Sequence, residues 1–370
     1  MHGQVYLVID QTCFVILMSK VNYFKSLNLN LSQIMLHALK CAEQGRGLVE
    51  PNPMVAALLL YKGEIVAEAF HNKYGAAHAE RLVIDQLDGR VPIQECTLVV
   101  TLEPCSHFGK TAPCADYIIE KGIRHVIIAA ADPNPRVKGM GIAKLKAAGI
   151  KVELGYAEQQ ARKLNAEFYR LHESKRPYIT LKWAESADGF MAAHSVSGTP
   201  VKTAISGNEA NAFVHTLRAR HEALLIGKQT LLIDNPELTV RHVVGKNPVR
   251  VIWCTNADVD STLHVFNSKA STVFIKNGYG TSDATHWYLQ NNLPKALDVA
   301  QLLYTCNIQS VLIEGGAKVL QQFIAEGLAN RIVKIVNPEL FLKKGVKAPP
   351  MQITEKPYKL GKDLIYDIKY

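Results

Sequence analysis

The sequence lacks several features that mark common classes of protein. It has no run of basic residues, although 42 Lys and Arg against 33 Asp and Glu give a net charge of +9. Proteins that bind nucleic acid usually concentrate basic residues in a run or stripe, so this charge suits phosphorylated small molecules better. The seven cysteines are an odd number in 370 residues, which disfavours a secreted disulfide scaffold. We therefore expect a reducing, cytoplasmic setting.

The sequence also lacks a segment that could anchor it in a membrane. Residues 3–19 are rich in Val, Ile, Leu and Phe, but Asp10 and Gln11 interrupt them. The stretch is too short and too polar for a transmembrane helix. It is also a poor fit to a signal peptide, because no Lys or Arg precedes it and no small-residue cleavage site follows it. We predict no membrane partner and leave residues 1–31 as an N-terminal extension of undefined role.

Strands and helices alternate along the first half of the chain. The whole chain of 370 residues predicts two to three domains at about 150 residues each. Apolar runs predict strands at 54–61, 64–70, 97–102, 126–130 and 151–154, and helical patterns lie at 32–45, 76–87, 114–121 and 142–148. Ser32 is the expected N-cap of the first helix, and Lys62-Gly63 is the expected turn of a hairpin. This order is typical of a three-layer α/β domain.

A polar segment separates this pattern from a second one. Residues 172–177 read His-Glu-Ser-Lys-Arg-Pro, and a polar stretch that ends in proline favours a domain boundary. Beyond it, we predict a helix at 209–220 with Asn208 as its N-cap. Further strands are predicted at 178–183, 223–226, 249–253, 272–275, 310–313 and 332–336, and a further helix at 318–326. We therefore predict a first α/β domain over residues 32–172 and a second over 173–370.

Three residues from separate stretches have the chemistry of a zinc site. His78 opens a helical pattern, Cys105 follows 27 positions later, and Cys114 lies nine beyond that. One imidazole and two thiolates suit Zn²⁺ and leave its fourth tetrahedral position for water, whose pKa zinc lowers to about 7. Glu80 lies two positions after His78, so it points away from the ligand side of a helix and can move the proton of that water. This arrangement is typical of zinc nucleobase deaminases.

Two less specific interpretations of these residues stay open. A closed zinc site would need a fourth protein ligand, and His107 is the nearest candidate. Alternatively, Cys105 and Cys114 are buried thiols that bind nothing. The distinction matters because structural zinc sites are closed, whereas catalytic ones keep a position for water or substrate.

The segment between the two cysteines carries a more specific resemblance. Residues 101–114 read Thr-Leu-Glu-Pro-Cys-Ser-His-Phe-Gly-Lys-Thr-Ala-Pro-Cys, with eight residues between the cysteines, and Asp-Pro-Asn-Pro follows at 132–135. With His78-Ala-Glu80 upstream, this pattern resembles the bifunctional deaminase/reductase family of riboflavin biosynthesis, from about Ser32 to the C-terminus. The resemblance implies a cytidine-deaminase-like three-layer α/β/α domain followed by a dihydrofolate-reductase-like α/β domain.

For the first domain, the resemblance implies deamination of 2,5-diamino-6-(5-phosphoribosylamino)pyrimidin-4(3H)-one at a zinc ion, with Glu80 as the catalytic proton carrier. The metal ligands would be His78, Cys105 and Cys114. Five further residues match substrate positions of the family: Asn52, His71, Lys110, Asp132 and Asn134. Each also has an ordinary structural interpretation, such as a turn former for Asn52 or a solvated surface amine for Lys110.

The second half contains no Gly-x-Gly-x-x-Gly after a strand, which disfavours an ordinary Rossmann site. Instead, Glu314-Gly-Gly-Ala317 ends a predicted strand and opens a helix, where free amides suit a phosphate. By the resemblance, this domain uses NADPH to reduce the ribosyl group of the deaminated product to ribityl. The implied substrate positions are Lys182, Arg218, Leu238, Arg241 and Glu314. The implied NADPH positions are Ala184, Ala204, Thr230, Asp234, Thr255, Gly316, Ala317 and Lys318.

One segment departs from the family pattern. The family commonly has Trp-Ile-Thr before the helix that carries Arg218, whereas residues 202–206 here read Lys-Thr-Ala-Ile-Ser. An aromatic contact with the cofactor is missing, so an active deaminase with a degenerate, non-reducing second domain is an alternative hypothesis. A zinc-stabilised nucleic-acid-binding protein is a third, based only on the net charge.

The expected partners follow from the leading hypothesis. They are the phosphorylated pyrimidine and NADPH, with no nucleic acid and no membrane. The resemblance also implies a homo-oligomer, because members of this family associate.

Overall fold

The computed structural model describes residues 30–87, 89–107, 112–254, 259–278, 285–289 and 294–370. The chain divides into two compact units, with the boundary in the sequence between His172 and Glu173. This boundary falls inside the helix Ala166–Ser174. The first three residues of the predicted polar linker are therefore helical rather than extended, since the helix continues past its buried residue Leu171.

The first unit contains a mixed five-stranded sheet. Its strands are β1 (Ala56–Tyr61), β2 (Glu64–Phe70), β3 (Thr97–Val100), β4 (His125–Ile128) and β5 (Lys151–Leu154). Its helices are α1 (Leu31–Ala42), α2 (Ala79–Asp85), α3 (Cys114–Glu120), α4 (Met140–Ala147), α5 (Glu158–Leu164) and α6 (Ala166–Ser174). The strand order is β2-β1-β3-β4-β5, antiparallel from β2 to β3 and parallel from β3 to β5.

The hairpin between β1 and β2 forms at the predicted turn. Lys62 and Gly63 have φ angles of 51° and 84°, and Tyr61 pairs with Glu64 across them. Two central residues with positive φ make a type I′ turn, whose twist matches that of the flanking strands. The hairpin prediction is confirmed.

The apolar run of β1 is buried on both faces of the sheet. Ala57 and Leu59 belong to a core cluster that includes Val83 of α2, whereas Leu58 belongs to a cluster that includes Met35 of α1. Successive side chains of a strand point to opposite faces, so a strand covered by helices on both sides is apolar throughout. The predicted three-layer arrangement of the first unit is confirmed.

The first helix begins earlier than predicted, and Ser32 is not its N-cap. The side-chain oxygen of Asn30 accepts a hydrogen bond from the Gln33 backbone, and the Gln33 side chain accepts one from the Asn30 backbone, both at 3.0 Å. This reciprocal capping box satisfies the donors of the first turn. Leu31 is therefore helical, although we had assigned it to the extension, whose residues 1–29 lie outside the described part.

The second unit contains a larger sheet and a small one. Its strands are β6 (Tyr178–Ser186), β7 (Phe190–His194), β8 (Pro200–Val201), β9 (Ala223–Gly227), β10 (Val249–Trp253), β11 (Thr272–Asn277), β12 (His286–Leu289), β13 (Ser310–Ile313), β14 (Arg331–Asn337), β15 (Gly345–Lys347), β16 (Tyr358–Leu360) and β17 (Asp363–Lys369). Its helices are α7 (Asn208–Ala219), α8 (Lys228–Asp234), α9 (Ala296–Thr305) and α10 (Ala317–Ala325). The nine-stranded order is β12-β11-β10-β9-β13-β6-β14-β17-β16, and β15-β7-β8 form the small sheet.

The nine-stranded sheet is parallel from β12 to β14, and β17 and β16 continue it antiparallel. Helices cover both of its faces. Val251 of β10 shares a core cluster with Phe323 of α10, whereas its neighbour Ile252 shares one with Val214 of α7. The second α/β pattern is thus confirmed, and the parallel strands present their carboxyl ends along one edge.

Two predictions about the second unit need correction. Asn208 is the first residue of α7 and not its N-cap, which is Gly207. The backbone N–H of Gly207 donates to Oδ2 of Asp363 at 2.7 Å, so the helix start is fixed by a residue of β17 rather than by a local cap. The patterns also did not predict helices α8 and α9 or the antiparallel strands at the C-terminus.

Two general features concern the helices and the cysteines of the described residues. None of these helices combines the length and the apolar character needed to cross a membrane. The six described cysteines form no disulfide with one another, and four of them are buried.

Candidate active sites

The three predicted zinc ligands lie together in the first unit. His78 is the N-cap of α2, Cys114 is the first residue of α3, and Cys105 lies in the loop after β3. The Nδ1 atom of His78 is 3.6 Å from Sγ of Cys105 and 3.3 Å from Sγ of Cys114. All three ligand atoms lie within 4.8 Å of one another. Two helix starts and a strand end therefore gather residues from three separate stretches.

The spacing of these atoms fits a tetrahedral zinc ion. Zinc–nitrogen bonds of about 2.0 Å and zinc–sulfur bonds of about 2.3 Å place nitrogen and sulfur about 3.5 Å apart at the tetrahedral angle. The observed distances of 3.3 and 3.6 Å bracket this value. Among the described residues, which leave out 108–111, the group of candidate ligands has three members and does not include His107. The donor set thus matches an open site better than a closed one with His107 as fourth ligand.

Hydrogen bonds inside the group favour a thiolate. The hydrogen bond from Cys114 lowers the pKa of Cys105, and His78 adds to this effect. The same bond raises the pKa of Cys114, together with burial. The backbone N–H of Cys114 also donates to Sγ of Cys105 at 3.3 Å. Backbone donors at a helix start stabilise negative sulfur, which is the form that binds a metal.

The carboxyl group of Glu80 is buried beside this group. Glu80 lies in the first turn of α2, is 3% exposed and is hydrogen-bonded to Cys114. Burial raises the pKa of Glu80, and the charge on His78 opposes this only in part. A carboxyl group whose pKa moves toward neutrality can both take up and release a proton at pH 7.

A cavity of about 270 Å³ joins this group to the substrate positions implied by the resemblance. His78, Glu80 and Cys105 line it. Four of the five predicted substrate residues line it as well: Asn52, His71, Asp132 and Asn134. The fifth, Lys110, lies outside the described residues. Apolar side chains that we did not predict complete the wall, among them Val55, Leu102 and Phe168.

His71 is held in one orientation and one tautomer. Its Nδ1–H donates to the carbonyl oxygen of Ala77 at 3.1 Å, so its Nε2 accepts from the side-chain amide of Asn52, also at 3.1 Å. Burial lowers the pKa of His71, and the nearby His78 adds to this effect. A neutral His71 therefore fixes the side-chain amide of Asn52, which lies just before β1 in the chain.

Asp132 and Asn134 lie on one loop whose shape depends on a residue we did not predict. Oδ1 of Asp132 accepts from the backbone of Asn134 at 2.7 Å, and the backbone of Asp132 donates to Oε2 of Glu103 at 3.1 Å. Burial raises the pKa of Asp132 to about 7, with a further contribution from the charge on Glu103. Glu103 belongs to the Thr-Leu-Glu-Pro-Cys motif, where an acidic residue directly after an apolar strand was the available signal.

The second unit contains a larger cavity, of about 1150 Å³. Residues at or next to the carboxyl ends of four parallel strands line it: Gly227, Trp253, Asn277 and Glu314. In open α/β sheets, ligands bind beyond this edge. Seven of the eight predicted NADPH residues also line the cavity: Ala184, Ala204, Thr230, Asp234, Gly316, Ala317 and Lys318. The eighth, Thr255, lies outside the described residues.

The paired glycines after β13 pack closely against the start of α8. The backbone N–H of Gly316 donates to Oγ1 of Thr230 at 2.8 Å. A Cβ atom at Gly316 would lie 3.0 Å from that oxygen, and one at Gly315 would lie 3.1 Å from the backbone nitrogen of Gly227. Glycine therefore suits this close approach, which presents the N-terminus of α10 to the cavity.

A buried ion pair lies at the wall of this cavity. Arg218 donates from Nε and Nη2 to the two carboxylate oxygens of Glu314, at 2.8 and 2.7 Å. Burial alone would raise the pKa of Glu314, but Arg218 lowers it to about 2. Lys182 lines the cavity beside Glu314, and burial lowers the pKa of its amine. The guanidinium of Arg218 is engaged with Glu314 and so holds that carboxylate in place.

Three of the five predicted substrate residues do not line the cavity: Arg218, Leu238 and Arg241. Leu238 is 2% exposed and packs in the core of the second unit. Arg241 is half-exposed, and its Nη1 donates to Oγ1 of Thr239 at 3.1 Å. Arg218 donates to the carbonyl oxygen of the same Thr239, also at 3.1 Å. Thr239 thus connects the two arginines.

The segment that departs from the family pattern also reaches the cavity. Thr203, Ala204 and Ser206 line it, and Nζ of Lys202 donates to the carbonyl oxygen of Asp234 at 3.2 Å. Lys202 therefore binds the end of α8.

Comparisons with known proteins match each half of the chain to a family of known domains. The family model of the cytidine and deoxycytidylate deaminase zinc-binding region matches residues 29–130, and that of the RibD C-terminal domain matches residues 177–348. The chain is 37% identical over 310 residues to the riboflavin biosynthesis protein RibD of Aquifex aeolicus, which covers 82% of this chain and 85% of that protein.

Solved structures extend the likeness to both units. The deaminase/reductase of Thermotoga maritima superposes with a TM-score of 0.76 at 32% identity, covering 91% of this chain and 98% of that one. RibD of Acinetobacter baumannii superposes with a TM-score of 0.79 at 29% identity, covering 91% and 98%. The fold and the sites thus define a zinc-dependent deaminase domain of cytidine deaminase type, followed by an NADPH-dependent reductase domain of dihydrofolate-reductase-like fold. The chain belongs to the RibD family of bifunctional riboflavin biosynthesis proteins.

Proposed function

We propose that this chain catalyses two consecutive reactions. The first is hydrolytic deamination of 2,5-diamino-6-(5-phosphoribosylamino)pyrimidin-4(3H)-one, and the second is reduction of the ribosyl side chain to ribityl by NADPH. The observation that carries the proposal is the convergence of His78, Cys105 and Cys114 with the buried Glu80 at one cavity. Each reaction is assigned to one domain, residues 32–172 for the deaminase and 173–370 for the reductase.

In the deaminase site, zinc held by the three ligands would lower the pKa of a water molecule to about 7. Glu80 takes the proton from this water as the water oxygen bonds to the ring carbon C2. It then delivers that proton to the amine, which leaves as ammonia. Burial raises the pKa of Glu80, which makes its protonated form easier to reach than that of an exposed glutamate and so suits both halves of this transfer.

The same cavity supplies polar groups for the substrate. Asn52, Asp132 and Asn134 line the same cavity of about 270 Å³ as the metal group. The amide of Asn52 is oriented by His71. We propose that these side chains bind the pyrimidine ring and its substituents. Lys110, between the two cysteines in sequence, is assigned to the substrate by the family motif alone.

In the reductase site, the N-terminus of α10 with Gly316, Ala317 and Lys318 would bind a phosphate of NADPH. The other proposed cofactor contacts are Ala184, Ala204, Thr230, Asp234 and Thr255. NADPH supplies hydride to C1′ of the ribosyl group in its ring-opened form. We propose that Lys182 and Glu314 bind the sugar, that Arg218 holds Glu314, and that Arg241 and the backbone near Leu238 bind the substrate phosphate.

The setting of the protein belongs to the same proposal. A cytoplasmic location agrees with the free thiols of the described residues. The net charge of +9 suits two phosphorylated ligands, so we propose no nucleic-acid or membrane partner. The homo-oligomer is proposed from the family resemblance alone.

The test is to incubate the purified, zinc-loaded protein with the diaminopyrimidine phosphate and to follow ammonia and NADPH separately. We expect ammonia release without NADPH, and NADPH oxidation that needs either that substrate or the deaminated product. A zinc-loaded protein that releases no ammonia contradicts the deaminase assignment. Ammonia release without any NADPH oxidation on the deaminated product would support a degenerate second domain.

A further inference from the structure

Glu103 binds an unusual number of backbone donors for one buried carboxylate. Its Oε2 accepts from the backbone N–H groups of Asp132 and Gly139, at 3.1 and 3.0 Å. Its Oε1 accepts from those of Gly141 and Ile142, at 3.0 and 3.2 Å. The residue is 3% exposed. The four bonds span eleven positions of the chain, so one side chain fixes the whole segment after β4.

Three of these donors belong to the start of α4. Gly139 is the N-cap of this helix and offers no side chain to cap it, which leaves the first N–H groups without an intrahelical partner. The carboxylate of Glu103 supplies the missing acceptors from another strand end, and its charge complements the helix dipole. It caps α4 from outside the helix.

Backbone contacts next to Glu103 join the same two segments of the chain directly. Its N–H donates to the carbonyl oxygen of Ala130 at 3.0 Å. A Cβ atom at Gly141 would lie 2.0 Å from the carbonyl oxygen of Pro104, so only glycine fits there. The segment that leads into Cys105 is thus in direct contact with the helix that follows the loop of Asp132.

We propose that Glu103 is a positioning residue of the deaminase, which fixes the loop of Asp132 and Asn134 relative to the metal ligand Cys105. This inference rests on the proposed function, because the substrate role of Asp132 and Asn134 belongs to that proposal. Glu103 also lines the cavity, but it is not one of the three candidate metal ligands and its carboxylate is engaged by the four backbone N–H groups. It acts on substrate binding through the loop.

The first variant is Glu103→Gln, which keeps the shape of the side chain but turns an amide NH₂ toward two backbone N–H groups. We expect KM of the deaminase to rise about 10- to 100-fold, since hydrogen bonds to a charged group are each worth about 1.5–3 kcal/mol. The kcat and the zinc content should stay within about twofold, because Glu80 and the ligands are intact. Reduction of the deaminated product by the same sample measures the fraction of folded protein.

The second variant, Gly141→Ala, disturbs the same contact from the other side and leaves Glu103 in place. It should raise KM in the same way, and in the double variant the two effects on log KM should not add. If Glu103→Gln does not accumulate as folded protein, Glu103→Asp decides, because it keeps the charge on a side chain one methylene shorter and should raise KM in the same direction. Glu153→Gln is the matched control, because Glu153 of β5 also has several partners, including His125 and Tyr156 at 2.8 Å.

The outcomes separate this inference from the proposed function. Deaminase kinetics of Glu103→Gln and Gly141→Ala that equal the wild type would overturn the inference and leave the function intact. A fall in kcat with loss of zinc and an unchanged KM would also overturn it, because Glu103 would then act on Cys105. Absence of ammonia release from the zinc-loaded wild type would instead contradict the proposed function.

Discussion

Two glutamates, one in each unit, have little contact with solvent, but their pKa values shift in opposite directions. Burial raises the pKa of Glu80, and the neighbouring His78 opposes this only in part. Burial also acts to raise the pKa of Glu314, whose side chain is 9% exposed, but Arg218 lowers it to about 2. The difference shows that the partner, and not burial alone, sets the direction in which the pKa of a carboxyl group moves. Glu80 suits proton transfer, whereas Glu314 suits fixed electrostatic binding.

The two cavities differ in volume and in how their functional groups are spread. That of the first unit has about 270 Å³ and concentrates its titratable groups around one point. That of the second unit has about 1150 Å³ and runs past the ends of four strands. A hydrolysis needs one water, one base and one ring in close proximity. A hydride transfer needs room for a dinucleotide beside the sugar, so its contacts are spread along the sheet edge.

Glu80→Gln is expected to have the largest effect of the variants that test this comparison. It removes the proton carrier but keeps the shape of the side chain, so we expect deamination to fall about 10²- to 10⁴-fold. Zinc content should be unchanged, because Glu80 is not one of the three ligand residues. Ammonia release and metal analysis measure the two effects, and reduction of the deaminated product by the same sample is the control. Deamination near the wild-type rate would show that Glu80 is not the proton carrier.

Arg218→Met removes the guanidinium that lowers the pKa of Glu314. Without the guanidinium, burial dominates and the pKa of Glu314 rises, so its charged form is lost as the pH falls through the new pKa. We expect reduction to fall about 100-fold at pH 7, which corresponds to about 2.7 kcal/mol of lost transition-state stabilisation at about 1.36 kcal/mol per tenfold. The rate should recover in part as the pH rises, which a pH profile of NADPH oxidation would reveal.

The second unit offers a matched control for this variant. Arg331 and Asp367 form another two-bonded pair, at 2.8 and 2.7 Å, and neither residue lines the cavity. Arg331→Met should reduce stability without a new pH dependence of reduction. Equal pH profiles for the two variants would refute the role of Arg218 in holding Glu314.

The parts of the fold that depend on nearby residues were predictable from the sequence. The turn at Lys62-Gly63 needs only two residues with positive φ, and the buried strand β1 is apolar whatever packs against it. The metal group was predictable for a related reason, because His78, Cys105 and Cys114 carry scarce ligand chemistry at spacings that match a known pattern. In each case the relevant physics is local or the residue types are distinctive.

The parts that depend on distant partners were not predictable. Asp363 fixes the start of α7 from 156 positions away, although Asn208 is a good cap by type. The four bonds of Glu103 reach residues 29 to 39 positions later. The Arg218–Glu314 pair is separated by 96 positions. Ordinary acidic and basic residues give no sequence signal for such partners.

Asp132→Asn tests the effect of burial on a carboxyl group through the stability of the protein rather than through a reaction rate. Burial raises the pKa of Asp132 to about 7, against about 3.9 in the unfolded chain. Between these values the folded state holds a proton that the unfolded state has lost, so this residue contributes less stability as the pH rises. The asparagine variant has no such loss. We expect its stability relative to the wild type to grow by about 4 kcal/mol from pH 4 to pH 8, as chemical denaturation would measure.

The pH range supplies the control for this prediction. At pH 4 the wild-type carboxyl is protonated in the folded state and about half-protonated in the unfolded one, so the two proteins should be most similar there. The Asn side chain can still accept the bond from the Asn134 backbone. A difference in stability that does not change with pH would mean that Asp132 is ionised in the folded protein throughout.

Thr230→Val is expected to have the smallest effect and sharpens the contrast between the cavities. In the larger one, binding is spread over many contacts, so the loss of one should cost little. Thr230 accepts the N–H of Gly316 at 2.8 Å, and removing that acceptor should weaken NADPH binding about fivefold, in line with roughly 1 kcal/mol per neutral hydrogen bond. Thr230→Ser keeps the hydroxyl and should bind as the wild type in a fluorescence titration with NADPH. A loss of 100-fold or more in Thr230→Val would show that the turn at Gly316 dominates cofactor binding, and that the second site is as concentrated as the first.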